Sequence, residues 1–233
     1  MADIVQIPRR SLHDEVALRL REMLVEGSIA PGAKLNEREL CALLSISRTP
    51  LREAIKLMAA EGLVDLLPNR GAVAVRLSET DVMHAFEVLA GLEGMSGELA
   101  AQRITGAELA EIRALHYEML ACFTRSDLSG YYRLNARIHV AINSAAKNPL
   151  LSKIYRQINA RVQSLRFRTN QNKPMWKLAM KEHEQMLEAL DARDATAART
   201  VLVGHLLRKR DVVLDLMRTG SPRSPVAAEP GAI

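Results

Sequence analysis

The sequence predicts a mainly α-helical protein in two parts, a winged helix-turn-helix at the N-terminus and an all-helical region after it. Three observations carry this. Apolar residues recur at helical spacing over most of residues 12–217. The one β-type signal is a pair of short runs flanking Pro68-Asn69-Arg70-Gly71, a hairpin pattern. Aromatic residues are only 3% of the chain while hydrophobic residues reach 48%, a balance that favours Leu- and Ala-built helices over sheets.

The elements follow in order. Val16, Leu20, Met23 and Leu24 set a first helix from Leu12 to Glu26, with Ser11 as its expected N-cap. Gly27 and Pro31-Gly32 end it in a loop. Asn36 is placed to cap a second helix, Glu37 to Leu44, with Glu39 at its third position. Ser47 is expected to cap a third helix running to about Gly62, with Pro50 in the first turn, where a missing N–H does no harm. Leu63–Leu67 and Ala72–Val75 form the hairpin, and Arg76-Leu77 the linker. Ser78 with Asp81 makes a capping box for the next helix. Helices are then expected near 79–103, 106–124, 128–146, 149–169, 175–191 and 194–217, with Thr105/Glu108 and Asn148-Pro149 marking two starts. The expected domains are 1–76, 77–218 and a Pro-, Gly- and Ala-rich tail, 219–233, expected to be disordered.

Composition excludes several classes. Two cysteines, Cys41 and Cys122, are too few for a disulfide framework and fit a reducing cytoplasm. No apolar run reaches the roughly 20 residues of a bilayer span, and the N-terminus has no signal-peptide core. The net charge is +5, which suits a nucleic-acid partner. Yet residues 1–75 hold ten Lys and Arg against ten Asp and Glu. The case for DNA therefore rests on where positive charge points, not on its sum.

The third helix supplies that direction. Arg48, Thr49, Arg52 and Lys56 lie at its start and along one side, while Leu51, Ala54, Ile55 and Met58 occupy the other. An Arg at the start of a recognition helix can pair with guanine O6 and N7. Ser47, Thr49 and the first-turn N–H groups can hold phosphate. Arg38 is placed for backbone or base edge, and Arg70-Gly71 for a minor groove. Duplex DNA is the expected partner.

The segment 11–76 closely resembles the GntR superfamily of bacterial transcriptional regulators. The matching residues are Pro31-Gly32, Leu35, Glu37-Arg38-Glu39-Leu40, Ser47-Arg48-Thr49-Pro50, Leu51-Arg52-Glu53-Ala54, Glu61-Gly62-Leu63-Val64 and Asn69-Arg70-Gly71. The resemblance implies Arg38, Arg48, Thr49, Arg52 and Gly71 as DNA contacts, and a homodimer on a short palindrome.

Six histidines offer a second site. His13, His84 and His116 have no companion at ligand spacing and read as surface or packing residues. Asn135 and His139 share one helix face beside Leu134, Ile138 and Ile142. His183 lies on a stripe with Met186, Leu187 and Leu190, and His205 beside Ala198, Leu202 and Leu206. Inward histidines on three helices can converge in a bundle core and suit Zn, Ni, Fe or a similar ion. Spacing alone ranks ordinary hydrogen-bonded core histidines first.

Residues 79–217 resemble the FCD ligand-binding domain of FadR-type GntR regulators. The matching pieces are Leu92-Glu93-Gly94, Leu99-Ala100-Ala101, Asn135-x-x-x-His139, Asn148-Pro149-Leu150, Glu182-His183-x-x-Met186-Leu187 and His205-Leu206. The resemblance implies an antiparallel helical bundle. It also implies a divalent metal held by Asn135, His139, His183 and His205, with a small organic acid beside it. Asn135 stands where many members have Asp, a stronger ligand. Leu89 stands where many have the Arg that holds the effector's carboxylate. Arg166, Arg168 and Lys209 are the candidate substitutes, though each taken alone reads first as a snorkelling or surface cation.

The expected function is a ligand-responsive DNA-binding regulator, a repressor by family habit, acting as a cytoplasmic homodimer whose effector shifts the two heads. A metal-free domain sensing a larger apolar ligand, such as an acyl thioester, is the alternative, favoured by Leu89 and opposed by the histidines. A metalloenzyme is a remote third reading, since no general base or nucleophile pairs with the histidines.

Overall fold

The computed structural model describes residues 12–169 and 173–219. The chain divides into two compact units, Met1–Leu77 and Ser78–Ile233. Ser11 and residues 220–233, and with them the expected first cap and nearly all of the expected tail, lie outside the described residues.

The first unit contains α1 (Leu12–Glu26), β1 (Lys34–Leu35), α2 (Glu37–Leu44), α3 (Arg48–Ala60), β2 (Val64–Leu67) and β3 (Gly71–Ala74). Its core is made by Val16, Ala17 and Leu20 of α1 against Leu51, Ala54, Ile55 and Met58 of α3, closed by Leu35, Leu40, Val64, Ala72 and Ala74. The helix start at α2 is made as expected, with Asn36 Oδ1 accepting from the N–H groups of Arg38 and Glu39. Ser45 ends α2 in the left-handed region at φ 54°, which makes the turn into α3 tight. Ser47 corrects the expectation: it occupies the N-cap position of α3 but its side chain makes no cap hydrogen bond.

The hairpin is β2 against β3, paired from Val64↔Ala74 to Leu67↔Gly71. Asn69 at φ 56° and Gly71 at φ 86° take the backbone around its tip. A third strand, β1, pairs on the other side of β3 through Lys34↔Val73 and Leu35↔Ala72, so the wing is a three-stranded antiparallel sheet in the order β1-β3-β2. Two residues carry no alternation, which is why the sequence did not reveal β1.

The second unit contains α4 (Glu79–Arg103), α5 (Gly106–Arg125), α6 (Leu128–Ala145), α7 (Pro149–Thr169), α8 (Lys173–Asp191) and α9 (Ala195–Thr219). Both capping boxes are formed, Ser78 with Asp81 and Thr105 with Glu108. Asn148 Oδ1 accepts from Leu151 N–H at the start of α7. Helix α8 begins two residues earlier than the pattern suggested, with Pro174 in its first turn, a position proline tolerates. The core joins Ala100, Ile112, Met119, Ile138, Ile142, Met186, Leu190 and Leu202. Helices α4 and α9 approach closely because Gly94 and Gly97 face α9. A Cβ on Gly94 would lie 2.6 Å from Val203 Cγ2, and one on Gly97 would collide with Leu202 Cδ1 and sit 3.1 Å from Ala198 O.

Candidate functional site

In the first unit, Arg38, Ser47, Arg48, Thr49, Arg52, Lys56, Arg70 and Gly71 are all exposed. Their side chains are not equivalent. Arg52 Nε donates to both carboxylate oxygens of Glu37, at 2.9 and 3.1 Å. Lys56 Nζ binds Glu53 at 2.9 Å. Among the described residues Arg38, Arg48 and Arg70 make no ion pair. Ser47 leaves its hydroxyl unused by the helix start, and the first turn of α3 holds no acidic residue. The surface therefore offers unpaired guanidinium groups from α2, α3 and the wing tip, together with a helix N-terminus, the groups that bind phosphate and guanine edges.

In the second unit, α6, α8 and α9 bring His139, His183 and His205 together. Each has a nitrogen within 4.8 Å of the others', and the ring centroids are 5.1–5.4 Å apart. All three are at most 5% exposed. Two of the rings are held from behind by buried carboxylates. His139 Nδ1 lies 2.6 Å from Glu93 Oε2 of α4. His205 Nδ1 lies 2.5 Å from Glu182 Oε2 of α8. Tyr155 Oη donates to Glu93 Oε1 at 3.3 Å, and Arg166 Nη1 stands 3.7 Å from the same oxygen. Arg208 also donates to Glu182.

Burial keeps two of the rings, His183 and His205, neutral. Burial drives His183 well below the ordinary imidazole value, helped by the neighbouring rings. Burial lowers His205 to about 4 against the opposing pull of Glu182. Burial would raise Glu93, but its contact with His139 and the charge of Arg166 prevail and hold its carboxyl below the usual range. Among the described residues, His139 Nε2 and both nitrogens of His183 are buried without a hydrogen-bond partner.

That last observation bears on the two readings of the histidines. Core histidines are satisfied by hydrogen bonds, and these are not. Imidazoles held through Nδ1 by carboxylates, with other nitrogens converging, are a donor set that a divalent metal site uses. The residues fit such an ion.

The other predicted residues distribute as follows. Asn135 is buried one turn before His139 on α6 and makes no hydrogen bond among the described residues. Leu89 is fully buried on α4, one turn before Glu93. Arg166 is 5% exposed, bonded to Asn159 Oδ1 at 2.6 Å and reaching Glu93. It is a buried cation beside the histidines, not a surface one. Lys209 is half-buried, and burial followed by Arg166 lowers its ammonium to about 7 while Glu182 opposes. The Arg168 side chain lies outside the described residues.

Sequence reasoning did not assign Glu93, Glu182 and Tyr155 to this site. Glu182 adjoins His183, a usable signal; Glu93 and Tyr155 meet across 62 residues of chain, which no local spacing reveals. His116 was read as a surface or packing residue. It is buried at 3% exposure and stacks on His183 with centroids 6.4 Å apart.

Comparison with known proteins matches both units. Residues 12–73 match the family described as bacterial regulatory proteins, gntR family, and residues 84–208 match the FCD domain. The chain is similar to the HTH-type transcriptional repressor RspR of Escherichia coli K12, 23% identical over 92% of this chain and 94% of that protein. It is also similar to the Nta operon transcriptional regulator of Aminobacter aminovorans, 29% identical over 84% of this chain and 91% of that one. The solved structure of E. coli McbR/YncC shares the fold, with a TM-score of 0.81 at 22% identity over 89% of this chain and 99% of that chain.

Proposed function

This chain belongs to the gntR family of bacterial regulatory proteins and carries an FCD domain, and we propose that a divalent metal in the helical unit binds a small organic acid that controls operator affinity. The chain is a transcriptional regulator, and its relatives are regulators, not enzymes. The proposal for the helical unit is carried by the histidine cluster, with its buried nitrogens left without partners.

His139, His183 and His205 would hold the ion, with Asn135 adding a neutral oxygen. Zn and Ni suit such imidazole-rich sites. When bound, the ion supplies a Lewis acid whose open positions take carboxylate or hydroxyl oxygens. Glu93 and Glu182 fix the orientation of two rings. Arg166 and Lys209 supply the positive charge that Leu89 does not, which points to an acid and away from an acyl thioester.

On DNA, Arg38, Arg48, Arg52 and Arg70 read or anchor the duplex, with Ser47, Thr49, Lys56 and Gly71 at the phosphates. The protein acts in the cytoplasm as a homodimer on a palindrome; among the described residues no helix is long and apolar enough to cross a membrane. Exposed Val88 and Met95 on α4, with Leu150 and Ile154 on α7, are apolar surface available for the second copy. Repression is the reading that RspR's name supports. A coupling of about 1–3 kcal/mol between acid and operator is enough to switch a promoter.

The test is the metal content of tag-free protein by mass spectrometry. Wild type is expected to carry about one divalent ion per chain, as a single three-histidine site allows, and His183→Ala none. Wild type purified without any ion, and unable to take one up on dialysis, would falsify the site.

A further inference from the structure

Two of the three clustered rings have an outer partner and the third does not. His139 and His205 each face a buried carboxylate through Nδ1. His183, 1% exposed, keeps both nitrogens without a partner. Whichever nitrogen it turns towards an ion, the other stays buried and unsatisfied, which costs stability and leaves the ring's orientation unfixed.

His116 of α5 stands beside that gap. Its ring lies 6.4 Å from that of His183 with the planes 19° apart. Its Nδ1 is also buried without a partner. It is not one of the three clustered histidines. Nor can the two rings bond each other directly: nitrogens at that centroid spacing stay beyond the roughly 3 Å a hydrogen bond needs. The span fits one oxygen between them. A neutral imidazole has one N–H to donate and one lone pair to accept with. An oxygen that accepts from one ring and donates to the other satisfies both, as buried waters do.

We propose that His116 and His183 together hold one hydroxyl oxygen, from water or from a bound hydroxy acid, and that His116 thereby positions the third metal ligand. The proposal rests on the metal reading above. His116 is a positioning residue; it does not touch the ion.

The experiment is a titration of Co²⁺ into metal-free full-length protein, followed by its visible absorption, for wild type, His116→Phe and His116→Gln. Phe keeps the flat shape and removes the nitrogens; circular dichroism melting verifies that each variant folds. If water is the source, His116→Phe weakens Co²⁺ binding about 10–100-fold and shifts the absorption bands, and His116→Gln recovers most of the loss. If the acid's hydroxyl is the source, Co²⁺ affinity holds, but the Zn-loaded variant loses its preference for malate over succinate, which differ by that one hydroxyl. Unchanged Co²⁺ binding together with an unchanged malate-to-succinate ratio overturns the proposal. His183→Ala is measured alongside. Retained Co²⁺ binding there removes the metal reading itself, whereas loss there with an unaffected His116→Phe removes only the role of His116.

Discussion

Arg48 and Arg52 sit on the same exposed side of α3 but are chemically unlike. Arg52 is held by Glu37 through Nε alone, in the bonds described above, so its two terminal nitrogens remain available. An exposed pair of this kind contributes little stability, and Glu37 acts mainly to limit where Arg52 points. Arg48 has no such partner among the described residues and stands at the first position of the helix. Arg48→Ala is therefore expected to cost about 1–3 kcal/mol of operator affinity and to relax preference at one base pair. Fluorescence anisotropy on an operator and its single-base variants measures both. Unchanged affinity with unchanged preference removes α3 from the groove. The residue types of this surface were legible in the sequence. Their pairing was not, because Glu37 and Arg52 are fifteen positions apart and meet only through the turn between α2 and α3.

At the scale of elements, capping chemistry was read well because it is local. Ser78 with Asp81, Thr105 with Glu108 and Asn36 all engage the backbone within three residues. Ser47 is the exception, since occupying a cap position does not oblige a hydroxyl to turn inward. The contact between α4 and α9 was not legible. Gly94 and Gly97 in a helix read as weak points by propensity, yet they are what lets α9 settle against α4. Gly97→Ala tests this. Its Cβ would meet the end of Leu202 and lie 3.1 Å from the Ala198 carbonyl, so Leu202 must repack and the α9 backbone must give slightly. The expected loss is about 1–3 kcal/mol of stability, the usual size of overpacking, against the gain that Ala brings at an open helical position. Urea unfolding decides the sign; a stabilised variant would mean that α9 shifts freely.

At the scale of the whole molecule, the buried titratable groups set the response to acid. Below pH 6.5 the imidazoles of an unfolded chain take up protons. Folded, His205 stays neutral to about 4, and His183 is likewise held well below the ordinary imidazole value. The unfolded state binds more protons across that window, so stability falls as pH drops from 6.5 towards 4. Glu93 and Glu182 are held below their usual 4.5. Their contribution is present above that value and is lost as pH falls through the folded values, in the same direction. The thermal midpoint of metal-free protein is thus expected to be lower at pH 5 than at pH 7. A flat profile between them would mean that these rings protonate in place.

The sequence by itself determined the two-part helical architecture, the caps, the wing turn and the identity of the exposed cations. Each of these depends on residues within a few positions of one another, where spacing and propensity act directly. It also put three histidines on inward stripes, but spacing ranked them as satisfied core residues. What surrounds them came only from the tertiary structure. It brought Glu93 behind His139 and Glu182 behind His205, buried Arg166 beside them, and left His183 and His116 with nitrogens that nothing in the described chain satisfies. Whether a buried polar atom is satisfied depends on what arrives from distant elements, and that is fixed by packing, which a periodic pattern does not encode.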